Sequence, residues 1–95
     1  MNILVIDAQG GGIGRQLVTA IREKMAEADI TAVGTNTVAT AAMLKAGADN
    51  AATGENAVVV NTRRADVIVG PIGIVIADAM FGEITPRMAN AVAQS

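Results

Sequence analysis

The residues best suited to chemistry are Gln9-Gly10-Gly11-Gly12-Ile13-Gly14. Three adjacent glycines offer bare backbone that a phosphate oxygen can approach closely. The apolar positions that follow, Leu17, Val18, Ile21 and Met25, share one face of a helix. The free N–H groups and positive dipole end of that helix point at the same anion. Asp7 closes the aliphatic run before the glycines. It has two readings: it orders the loop by accepting its N–H bonds, or it holds Mg²⁺ beside a phosphate. Three more polar stretches could join this site: Gly34-Thr35-Asn36, Thr53-Gly54-Glu55-Asn56 and Gly70-Pro71-Ile72-Gly73. Glu55 is either a helix-start carboxylate or a catalytic base. Asn36 and Asn56 either cap helices or hydrogen-bond a base or ribose.

The missing residue types narrow the chemistry. The chain has no His, Cys, Tyr or Trp. That removes Ser-His-Asp and Cys-His nucleophile systems, His- or thiolate-based metal sites and disulfides. Proton chemistry would fall to nine Asp and Glu residues, to Lys24 and Lys45, or to the ligand itself. Net charge is −2, and Arg63-Arg64 is the sole basic cluster. No basic stripe exists to neutralise a nucleic-acid backbone, so no nucleic-acid partner is expected. The longest apolar run, Val67 to Ala77, is broken by Gly70, Pro71 and Gly73 and flanked by Asp66 and Asp78. It is too short and too interrupted to span a bilayer. With no secretory leader before the first aliphatic run, a cytoplasmic protein is the expectation.

The elements that must position these residues follow a βα rhythm. Residues 2–7 read as a strand and residues 12–28 as a helix. Ile30 to Gly34 is a second strand, and a helix capped by Thr35-Asn36-Thr37 stops at Gly47. Asp49 to Thr53 reads as a very short strand. Gly54 to Arg64 is a conflict, since Val58-Val59-Val60 favours strand by propensity while the crossover needs a helix. Helix is the choice. Asp66 to Gly70 is a strand. Residues 72–82 read as a buried helix or another strand. Thr85-Pro86 starts a last helix, with Pro86 at the first helical position. The whole, residues 1–95, reads as a single α/β domain: a small Rossmann-like parallel sheet of about four strands with helices on both faces.

Hydrophobic residues make up 52% of the sequence. A domain this small leaves part of that surface uncovered, so a homo-oligomer is expected, with Met80 and Phe81 in its contact. Asp78, flanked by apolar residues, is either a partly buried functional acid or part of such a contact.

The glycine loop departs from two known patterns. In G-x-G-x-x-G, the first glycine falls on Gln9. Gly12-Ile13-Gly14 is similar to the end of the short-chain dehydrogenase/reductase turn, G-x-x-x-G-I-G, whose first glycine falls on Ala8. Binders of NAD(P) with this architecture place an acid at the end of the second strand for the ribose hydroxyls. Here Gly34-Thr35-Asn36 stands there. Arg15 is either a ligand for a 2′-phosphate or a solvated helix residue. The tyrosine of the short-chain reductases is absent, so their catalysis does not carry over.

Five segments together resemble a family of short bacterial proteins of unknown function with a Rossmann-like fold. They are Asp7 to Gly14, Gly34 to Asn36, Ala52 to Asn56, Ala65 to Gly73 and Gly82 to Pro86. The resemblance implies the fold and a further strand after residue 95, and it implies no activity. The leading expectation is a nucleotide- or dinucleotide-binding protein, with NAD(P) or another nucleotide as ligand. Its expected binding residues are Gln9, Gly10, Gly11, Gly12, Ile13, Gly14, Thr35, Asn36, Gly70 and Pro71. Two alternatives stand beside it: an enzyme on a phosphorylated substrate using Asp7 or Glu55, and an oligomeric structural protein whose glycines serve packing.

Overall fold

The computed structural model describes residues 1–79 and 82–94. The expected contact residues Met80 and Phe81 lie outside them. Four strands, β1 (Asn2–Asp7), β2 (Asp29–Gly34), β3 (Asn50–Thr53) and β4 (Val67–Val69), form one sheet in the order β3-β2-β1-β4. All three pairings are parallel. Among the described residues there are four α-helices: α1 (Gly12–Lys24), α2 (Thr37–Lys45), α3 (Glu55–Thr62) and α4 (Pro86–Gln94). This is an α/β fold with the strand order that opens a doubly wound sheet.

Side-chain alternation along β1 builds two cores. Ile3 and Val5 face α1 and α2, where they join Val18, Ile30, Ala32 and Met43. Leu4 and Ile6 face α3 and α4, where they join Val33, Val58, Met88, Ala89 and Val92. With helices on both faces, the central strand has no solvent side. That is why β1 reads as an unbroken aliphatic run.

Val58 is fully buried in the second core. Packing and the crossover thus override the strand propensity of three consecutive valines, and residues 55–62 are helical as the βα rhythm requires. Helix α1 is shorter than the sequence pattern. It ends at Lys24, and the Arg22 guanidinium closes the following turn by donating to the carbonyls of Ala26 (3.0 Å) and Ala28 (2.9 Å). The same guanidinium donates to the Gly47 carbonyl at 3.0 Å and pairs with Asp49 at 2.6 Å. It ties the loops that enter β2 and β3.

The described residues of the 72–82 stretch form neither a buried helix nor a strand. A 3₁₀ turn over Ile72–Val75 gives way to bends and turns. Gly73 and the turns that follow cannot sustain the apolar periodicity of either element. Asp78 sits exposed in one of these turns at φ 65°, so it is not a buried acid. Among the described residues, no helix is long and apolar enough to cross a membrane.

Candidate functional site

Strand β1 lies between β2 and β4, so the chain winds away from it in both directions. In sheets of this kind, ligands sit beyond the carboxyl end of the strands at that point. Asp7, Gln9 to Gly14, Thr35 and Asn36 all lie there.

Asp7 is 3% exposed. One carboxylate oxygen accepts the Ala8 N–H at 2.8 Å and the other accepts the Gly14 N–H at 2.5 Å. The loop between them is thereby folded back onto the end of the strand. The Gly11 N–H closes it by donating to the Ala8 carbonyl at 3.1 Å. This is the loop-ordering reading of Asp7. Its carboxylate is committed to backbone, and among the described residues no group of three or more acidic side chains could hold a metal ion.

The glycines of the loop have different jobs. Gly11 has φ 75°, and a Cβ on it would lie 2.7 Å from the Ala39 Cα. A Cβ on Gly14 would lie 2.6 Å from the Met43 sulfur and 2.7 Å from the Asp7 Cβ. Both positions are glycine because α2 and β1 press against them. Gly10 and Gly12 are unlike these. Neither has positive φ, and among the described residues a Cβ on either would meet no packing neighbour within 4 Å. Gly12 and Ile13 begin α1, where N–H groups have no partner within the helix. Among the described residues, the N–H groups of Gly10, Gly12 and Ile13 have no backbone partner in the protein.

Asn36 caps α2 by accepting the Ala39 N–H at 2.9 Å, as its position before the helix predicts. Its Nδ2 reaches back to the Gln9 carbonyl at 2.9 Å and so joins the second turn to the first. Gln9 itself stands at φ 51°.

The residue that sequence reasoning missed is Glu83. Its Oε2 accepts three hydrogen bonds: from the Gln9 N–H at 2.7 Å, the Thr35 hydroxyl at 2.5 Å and Asn36 Nδ2 at 3.1 Å. These donors hold its carboxyl below the ordinary glutamate value, the Gln9 N–H most strongly and the Thr35 hydroxyl next. Partial burial opposes them without prevailing. Its signal in the sequence was position. The segment between β4 and α4 also crosses the carboxyl edge of the sheet, and Glu83 is an acid in that segment directly before Ile84-Thr85-Pro86.

The remaining expected residues are distributed differently. Gly70 packs against the Ile6 carbonyl, and with Pro71 it lines an open groove of about 1070 Å³. That groove is bounded by β4, α3 and α4, with Ile68, Ile74 and Arg87 in its walls. Glu55 occupies the first position of α3, and its carboxylate accepts from the Thr85 hydroxyl at 2.6 Å and from Arg87 at 3.3 Å. Thr85 in turn caps α4 by accepting the Met88 N–H at 3.1 Å. Glu55 therefore joins two helix starts. Asn56 is exposed.

Three carboxyls are held below their ordinary values, each by hydrogen bonds that exist only in the folded chain. They are Glu83, Glu55 (chiefly by the Thr85 hydroxyl) and Asp49 (chiefly by the Ile30 N–H, then Arg22). In each case the unfolded state takes up its proton first as pH falls. The stabilisation is present above the ordinary values of 4.5 for Glu and 3.8 for Asp, and it is lost as pH drops through the lower folded values. Urea midpoints measured across a pH series should be flat near neutrality and fall below about pH 4.5. A midpoint that rises on acidification would contradict the three assignments.

No curated protein and no solved structure matches the chain. A family model described as a domain of unknown function (DUF3842) matches residues 2–95, and the chain belongs to that family.

Proposed function

We propose that the protein binds a nucleotide or dinucleotide, NAD(P) or a relative, with phosphate held at the start of α1 by the N–H groups of Gly10, Gly12 and Ile13. One observation carries this reading. Gly10 and Gly12 have unstrained φ and open space where a side chain would go, so nothing among the described residues requires glycine there. Close approach of a ligand to the backbone does require it. Packing accounts for Gly11 and Gly14 and leaves the other two without a reason. Free N–H groups at a helix start supply the anion-binding donors.

The same geometry favours binding over the enzyme alternative. The two carboxylates suited to catalysis, Asp7 and Glu55, are each committed to internal donors. Homo-oligomerisation belongs to the reading as well, supported by the exposed Ile13, Val38, Leu44 and Ile76.

The chain has one Phe and no Trp or Tyr, so a nucleotide carried through purification stands out in the near-ultraviolet. Denaturing freshly desalted protein and taking the spectrum and mass of the released fraction would identify it. The decisive comparison is calorimetric titration of NAD and of inorganic pyrophosphate into the wild type and Gly12→Val. The variant should keep its thermal midpoint and lose affinity for both probes by about 100-fold or more, since about 2.7 kcal/mol of contact at the loop is removed. Equal affinity in the two proteins would remove the loop from the binding reading.

A further inference from the structure

We infer that Glu83 is the ribose-recognition acid of this site, selecting a ligand with an unphosphorylated cis-diol. This rests on the nucleotide-binding reading above and adds the class of ligand. In dinucleotide-binding sheets, an acid at the end of the second strand accepts hydrogen bonds from ribose hydroxyls. Strand β2 ends at Gly34, and the Thr35-Asn36 that follows supplies no acid. The fold delivers a carboxylate to that place from 48 residues further along the chain. Glu83 Oε2 is fastened there by the Thr35 hydroxyl, Asn36 Nδ2 and the Gln9 N–H.

The fastening is one-sided. All three donors converge on Oε2, and among the described residues Oε1 takes no hydrogen bond. Oε1 is also not sealed from solvent, because among the described residues no fully buried side-chain oxygen lacks a partner. A carboxylate oriented by one oxygen, with the other free, is a fixed acceptor for hydroxyl donors. The Gln9 N–H that helps to hold it belongs to the glycine loop itself, so the acceptor lies beside the proposed phosphate donors of Gly10, Gly12 and Ile13. A 2′-phosphate brought to the same point would meet a like charge.

The test is titration of NAD, NADP and inorganic pyrophosphate into the wild type and Glu83→Gln. The unaltered protein should bind NAD about tenfold or more tighter than NADP, the scale set by a half-buried, oriented acceptor that a phosphate repels. Glutamine retains an oxygen for the Gln9 and Thr35 donors and replaces Oε1 with a donor. Glu83→Gln should therefore lose about tenfold in NAD affinity and narrow the NAD–NADP gap to about threefold, with pyrophosphate affinity unweakened because a like charge beside the loop is removed. A residue that merely holds the loop would weaken all three probes together.

An NAD affinity equal to or tighter than the wild type's in Glu83→Gln overturns the inference, because Glu83 would then make no contact with the ribose or would compete with the anion. An equal loss for all three probes overturns it too, because Glu83 would then be a clamp on the loop. Should the variant fail to fold, the unaltered protein alone decides: pyrophosphate binding without preference for NAD over NADP overturns the inference and leaves the loop reading standing. Absence of binding to all three probes overturns both.

Discussion

Gly14→Val is expected to destabilise the protein by about 3 kcal/mol, lowering its thermal midpoint by on the order of 10–20 °C. Two effects oppose each other at this position. Glycine lowers helix stability by about 1 kcal/mol relative to alanine, so any side chain in the first turn of α1 has a propensity advantage. Against it stands the space. A Cβ there would lie 2.6 Å from the Met43 sulfur and 2.7 Å from the Asp7 Cβ. Met43 is fully buried and cannot swing into solvent, and the Asp7 Cβ moves only with β1. Overpacking of this kind costs about 1–3 kcal/mol for extra methylenes and more when the backbone must shift, so the clash prevails. Gly12→Val is the control: two residues earlier, with open space, it should shift the midpoint by no more than about 2 °C. Calorimetric unfolding of both variants checks the pair. Similar losses in the two would mean that the loop's glycines serve packing alike, which is the structural-protein alternative.

Asp7→Ala should destabilise by about 2–5 kcal/mol, a large share of the roughly 5–15 kcal/mol expected of a domain of this size. The carboxylate is 3% exposed and accepts two N–H groups, those of Ala8 and Gly14. Alanine leaves both donors without an acceptor in the protein, and an unsatisfied buried donor costs about 1–3 kcal/mol. Asp7→Asn should fall between the two, because its amide can accept one N–H and must turn an NH₂ toward the other. Urea unfolding of the three proteins should therefore rank wild type, Asn, Ala. An asparagine variant as stable as the wild type, paired with loss of turnover on some substrate, would instead favour the catalytic reading of Asp7.

Local sequence determined much of this fold because much of its information is local. The alternation and unbroken hydrophobicity of residues 2–7 specify a strand covered on both sides. The glycines that follow specify a βα turn. Asn36 and the Thr85-Pro86 pair mark helix starts, and each occupies that place with its capping bond made. The strand count and the parallel arrangement follow from the rhythm of these units. At residues 55–62, three valines pulled toward strand, and the topological need for a crossover together with burial of Val58 against β1 decided the outcome.

What tertiary structure alone decided is the content of the site. Nothing in the glycine motif tells Gly11 and Gly14, fixed by α2 and β1, from Gly10 and Gly12, which face open space. That distinction exists only once Ala39 and Met43 are in place. Residues 72–82 looked like a regular apolar element, and their described residues form a 3₁₀ turn, bends and turns instead. Glu83 lies at the end of β2, where it meets Gln9, Thr35 and Asn36. The sequence shows a second strand without its acid. Supplying a carboxylate from 48 residues away is a non-local event, and periodicity, propensity and capping signals reach only a few turns along the chain.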